Sequence, residues 1–140
     1  MTSTDTQDRV PRGPLGAAIS KQVVRLYSEY TGRGPTRVRT TIRENVVVCI
    51  AHGSMTKGER RLVEAGEADT VVSIRRKFQT TMQDDLTGAV EMLTGRKVIS
   101  FLSDHDAMTD HAAEVFVLDG EPDWSIELGG GDRPAGETGI

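Results

Sequence analysis

The sequence predicts an α+β domain: two helix–β-hairpin units forming a four-stranded, mainly antiparallel sheet with helices on one face. Three observations predict it. Apolar residues recur every three or four positions in two long stretches, the period of an amphipathic helix. Four short stretches are rich in Val, Ile, Leu and Phe, as strands are. The tripeptide Thr-Gly-Arg occurs twice, at residues 31–33 and 94–96, each time where a helical pattern hands over to a strand pattern.

Taken in order, residues 1–14 are polar with two prolines and no periodicity, which predicts a disordered tail. Leu15, Ile19, Val23, Leu26 and Tyr30 form one helical stripe. Gly32 and Gly34 end it, with Pro35 as the stop. Val38, Thr40 and Ile42 then alternate with Arg37, Arg39, Thr41 and Arg43, a strand with one core face and one polar face. Glu44-Asn45 makes a tight turn. Val46 to His52 is apolar at every position before the histidine, which predicts a central strand covered on both faces. Gly53 breaks it. Thr56 and Glu59 have the spacing of a capping box, so a short helix follows from Lys57 to Ala65. Gly66 interrupts, and a long helical stripe runs from Val71 to Leu93, ended by Gly95. Residues 97–104 and 112–119 are the third and fourth strands, joined by a polar loop. Residues 120–140, rich in Gly and acid, predict a flexible tail, which leaves 15–119 as the domain.

Composition narrows the function classes. At 140 residues, with 36% hydrophobic and 27% charged, the chain has the size and balance of one globular domain. It has no apolar run of about 18 residues, so no stretch predicts a membrane-spanning helix. The first 20 residues lack a hydrophobic signal core. The single cysteine, Cys49, has no internal partner, and a reducing cytoplasm is the expected compartment. The net charge of −4 is unevenly spread: residues 1–103 carry +5 and residues 104–140 carry −9. A negative chain with 4% aromatic residues has few stacking platforms, so nucleic acid is an unfavoured partner.

The arginine-rich stretch is the leading candidate site. The period-two rule puts Arg37, Arg39 and Arg43 on one strand face. Arg33 precedes them, and Arg60 and Arg61 approach from the short helix. Guanidinium groups bind phosphate and carboxylate through paired hydrogen bonds, and Gly32 and Gly34 are placed to expose backbone N–H groups beside them. The stretch lacks the Lys-Ser/Thr of a P-loop and the spacing of a dinucleotide loop. The plainer reading is a solvated strand face paired with Glu44, Glu59 and the acidic end. Ser103 to His111 gathers Asp104, His105, Asp106, Asp110 and His111, all metal-ligand types, but at a spacing that fits a polar hairpin loop better than a metal motif. His52 at a strand end and Cys49 within the strand read as structural. Arg75, Arg76 and Lys77 are expected to point away from the Ile74/Phe78 stripe, and Asp84 and Asp85 diverge too far on a helix to act as a pair. Trp124 reads as a weak anchor. No nucleophile–base pair, cofactor motif or metal set is visible, so no enzymatic activity is expected.

Leu15 to Leu118 resembles a known family. The stretches VRLYSEYTGRGPTRVRTTI, TKGER, LTGRKVISFLSD and EVFVLDG are similar to the small bacterial MpsC-type domain, named for its link to a sodium-translocating, membrane-potential-generating system. The resemblance implies an accessory or regulatory protein at the inner face of a membrane, beside a cation or inorganic-carbon transporter. It supplies no catalytic residues. The expectation from residues and resemblance together is a non-enzymatic cytoplasmic module that binds a protein partner, such as a transporter subunit, through Arg37, Arg39 and Arg43. The alternative is a sensor for a nucleotide or other anionic small molecule. The four strands leave two open edges, through one of which a homodimer could form.

Overall fold

The computed structural model describes residues 12–128. Helix α1 spans Arg12–Thr31, strands β1 Arg37–Arg43 and β2 Val46–His52, helices α2 Lys57–Glu64 and α3 Ala68–Thr94, and strands β3 Val98–Asp106 and β4 His111–Leu118. The four strands form one antiparallel sheet in the order β1-β2-β4-β3. The pairs β1–β2 and β3–β4 are hairpins, each following a helix, so the expected helix–hairpin duplication is present. Of the tails expected at 1–14 and 120–140, residues 1–11 and 129–140 lie outside the described residues.

The helices cover one sheet face. Ile19, Val23 and Leu26 of α1 and Met82, Leu86 and Val90 of α3 pack on Val47, Cys49 and Ala51 of β2 and Ala112, Phe116 and Leu118 of β4. A smaller cluster of Met55, Val71 and Ala107 fills the end near α2. Thr56 caps α2 with a complete capping box: its hydroxyl accepts from the Glu59 N–H at 3.1 Å, and Glu59 accepts from the Thr56 N–H at 2.8 Å. Gly95 ends α3 in the left-handed region at φ 70°, which suits a residue without a Cβ.

Several sequence expectations are corrected. Helix α1 begins at Arg12, inside the stretch expected to be tail. The chain also remains packed past residue 119: Pro122 is buried, and Trp124 and Leu128 lie against the core. Strands β3 and β4 take in Ser103–Asp106 and His111, so the connecting turn shrinks to residues 107–110. Alternation along the two strands therefore splits the supposed polar loop between the two sheet faces. Arg75 is buried rather than turned to solvent, because it meets a buried carboxylate and a buried hydroxyl. Finally, β2 is central in the sheet, but among the described residues its cover is one-sided. Val47, Cys49 and Ala51 are buried under the helices, while Val46, Val48 and Ile50 face the other way and are only partly buried.

Candidate functional site

The sheet face away from the helices is the candidate site. The strand register orders it into rows. One row reads Arg37, His52, His111, Asp106 from β1 to β3, and the next reads Arg39, Ile50, Ala113, Asp104. Then come Thr41, Val48, Val115, Leu102, and finally Arg43, Val46, Val117, Ser100. The middle of the face is thus apolar. Its β1 edge is basic, and its β3 edge carries two aspartates.

The geometry brings together part of the predicted set. Arg37 and Arg39 meet Ile50, His52 and His111 around a small open cleft of about 150 Å³. The two imidazoles lie with ring centroids 4.7 Å apart. Among the described residues, Arg37, Arg39 and Arg43 make no ion pair. The cluster therefore presents unneutralised guanidinium groups beside two imidazoles, a setting suited to a carboxylate or phosphate. Arg43 shares the edge at the opposite end of β1.

The other predicted residues sit elsewhere. Arg33 donates from Nε to the Gly53 carbonyl at 3.2 Å and fastens the chain between α1 and β1. Gly32, at φ 80°, closes the last turn of α1 through its N–H to the Ser28 carbonyl. Gly34 packs so closely that a Cβ there would lie 3.3 Å from Val24 and Ser28. Arg60 reaches Asp110 at 3.7 Å. Glu59 is spent on the α2 cap and on Arg75, so it does not neutralise the strand arginines. His52 and His111 are the residues that sequence reasoning undervalued. Each ends or begins a strand, but only the long-range pairing of β2 with β4 places them opposite each other.

Asp104, Asp106 and His111 point to the open face, while His105 and Asp110 point inward and hydrogen bond at 2.9 Å. Among the described residues no three metal-ligand side chains converge.

Beneath the sheet runs a buried polar seam. Arg75 donates to Ser54 Oγ at 2.5 Å and to Glu59 at 3.3 Å, and its guanidinium carbon lies 5.9 Å from the centroid of the Tyr27 ring. The Tyr27 hydroxyl donates to Glu114, which is 1% exposed. Burial pushes the Glu114 carboxyl up to about 7, against the opposing help of Ser103, Tyr27 and Arg75. Ser103, opposite Glu114 across the β3–β4 pair, eases that charge without full hydrogen-bond geometry. Burial also raises the Tyr27 hydroxyl well above its ordinary range, with Glu114 adding to the effect. At Asp110 burial works upward but is outweighed by His105 and the Met55 N–H, so its carboxyl lies below the ordinary value.

Fold and site define a helix-backed α+β domain with an open, charge-polarised sheet face. The chain belongs to the MpsC family, described as "Na+-translocating membrane potential-generating system (MpsC)", whose profile matches residues 11–120. It is 26% identical over 119 residues to "Uncharacterized protein YbcI" of Bacillus subtilis (strain 168), covering 83% of this chain and 94% of that one. It is 29% identical over 97 residues to "Uncharacterized protein YrhF" of the same organism, covering 68% and 80% respectively. No solved structure matches. Among the described residues no helix is long and apolar enough to cross a membrane.

Proposed function

We propose that this chain is a non-enzymatic accessory or regulatory module of a membrane cation-transport system. It works at the cytoplasmic face of the membrane and contacts an acidic segment of a protein partner. The observation that carries this reading is the basic corner of the open sheet face, where Arg37 and Arg39 stand beside His52 and His111 with no acidic neighbour pairing the arginines among the described residues. The family description supports the membrane system. The apolar rows beside the corner support a protein partner, since protein contacts join an apolar centre to a polar rim.

A tagged pull-down from the native host with solubilised membranes tests the proposal. The wild type is expected to recover a transporter subunit that an Arg37→Glu/Arg39→Glu double variant loses. Equal recovery by both proteins rejects the corner as the contact.

A second reading follows from the cleft itself. A volume of about 150 Å³ with two arginines and two histidines suits one phosphate or carboxylate group, which favours an anion sensor. Such a ligand binds only the folded state and so raises the melting temperature. A nucleotide and anion thermal-shift screen on wild type and the double variant distinguishes it from protein docking.

A further inference from the structure

Val46 to His52 carries the sequence pattern of a strand covered on both faces, yet among the described residues helices cover only one. Val48, Ile50, Val115 and Val117 occupy the middle of the open face, with Leu102 beside them at 58% exposure. An apolar, β-branched sheet face of this kind gains by being removed from water.

The charges on its two edges identify the occupant. Arg37 and Arg39 line the β1 edge. Asp106 and Asp104 line the β3 edge in the same two rows. We propose that two copies of this chain pack open face to open face about a two-fold axis parallel to the strands. That axis lays β1 of each copy over β3 of the other and keeps every row over itself. Arg39 then faces Asp104 of the second copy, and Arg37 faces its Asp106. Large meets small within the same row, because Ile50 lies over Ala113. The other in-plane axis, across the strands, lays β1 over β1 and crowds the arginines together.

Aligned sheets pack about 10 Å apart, a gap that an arginine and an aspartate span together. Seven residues at ~3.4 Å along four strands at ~4.8 Å spacing give roughly 450 Å² of plan area. The pair therefore hides about 900 Å² before side-chain relief is added, close to the ~1,000 Å² that marks a specific interface. The dimer is accordingly a dissociable one. The proposal rests on reading this face as a protein-contact surface, and it names the first partner. It also makes the second copy and an acidic partner segment competitors for Arg37 and Arg39.

Analytical ultracentrifugation of the full chain over a dilution series tests it. The wild type is expected to sediment as a dimer that dissociates on dilution. Val115→Lys, in the middle of the face, gives a monomer with unchanged circular dichroism. Arg39→Asp and Asp104→Arg each weaken the dimer at least tenfold by placing like charges together. Combining them reverses both ends of each pair and restores most of the affinity. A wild type that stays monomeric throughout overturns the proposal. So does a dimer that survives Val115→Lys, or a double variant no tighter than the single ones. The double variant also separates this proposal from the functional reading. It restores self-association, whereas an acidic segment of another protein still finds an aspartate in place of Arg39.

Discussion

Replacing Glu114 with glutamine should make this protein more stable at neutral pH and remove part of its pH dependence. Glu114 sits on the helix-covered face of β4 and is 1% exposed. Its carboxyl has an ordinary value of 4.5 in the unfolded chain and about 7 in the folded one, chiefly because burial penalises the charged form. Between those two values the folded protein holds a proton that the unfolded chain has released. Stability therefore falls as pH rises through that window, by up to ~1.4 kcal/mol per pH unit. The contribution is fully present below about 4.5 and gone above about 7, a loss on the order of 3 kcal/mol in all. Glutamine keeps an acceptor for the Tyr27 hydroxyl and offers an N–H to Ser103 Oγ, which otherwise lacks a partner. It carries no charge to desolvate. Thermal melts of wild type and Glu114→Gln across pH 5 to 8 test this. The two curves should diverge as pH rises, with the variant about 10 °C higher at the alkaline end for a chain of this size. The comparison isolates Glu114, because every other side chain is common to both proteins. Parallel curves, or a variant less stable at every pH, would refute the reasoning.

Other perturbations follow from the same packing. Arg75→Met leaves Glu59 charged in a buried site without its guanidinium, and should cost about 3 kcal/mol or more in denaturant unfolding. Removing the capping hydroxyl in Thr56→Ala should cost about 1 kcal/mol, read as a lower urea midpoint. Gly53 has φ 76°, and a Cβ there would collide with Thr36, so Gly53→Ala should destabilise by more than the ordinary cost of lost left-handed freedom, measured by the same urea titration. Burial pushes the Cys49 thiol up to about 12, so a thiol reagent at neutral pH should label the native protein only as fast as it opens, and the unfolded protein at once.

Most of the architecture was legible in the sequence because local pattern and tertiary role agree. The alternation of Val38, Thr40 and Ile42 with the arginines fixes which face of β1 is which, and the pairing bears it out. The Thr56–Glu59 capping box marks the start of α2 to the residue. The failures have a common cause: long-range partners outweigh local appearance. Arg75 lies in a basic run that looks solvated, but Ser54 of the β2–α2 connection and Glu59 of α2 compensate its burial. Asp104 to His111 looks like a loop because its residues are polar, yet hairpin pairing extends both strands into it. At the candidate site, Arg37 and Arg39 were legible from period two alone. Their histidine neighbours were not, because His111 comes from the far hairpin and reaches β1 only through the β1-β2-β4 order. The doubly apolar pattern of β2 predicts cover on both faces, whereas among the described residues the helices cover one.

The open sheet face, with its basic corner, is proposed as a protein-contact surface. Hydroxyl-radical footprinting of the full chain, purified and dilute against assembled in native host extract, tests it most directly. Leu102 on that face is 58% exposed, and Met92 on α3 is 80% exposed, which provides an internal reference. Assembly is expected to protect Leu102, Val115 and Ile50 while Met92 labels as before. Protection of Met92 with the sheet face still labelled would place the contact on the helical side and contradict it.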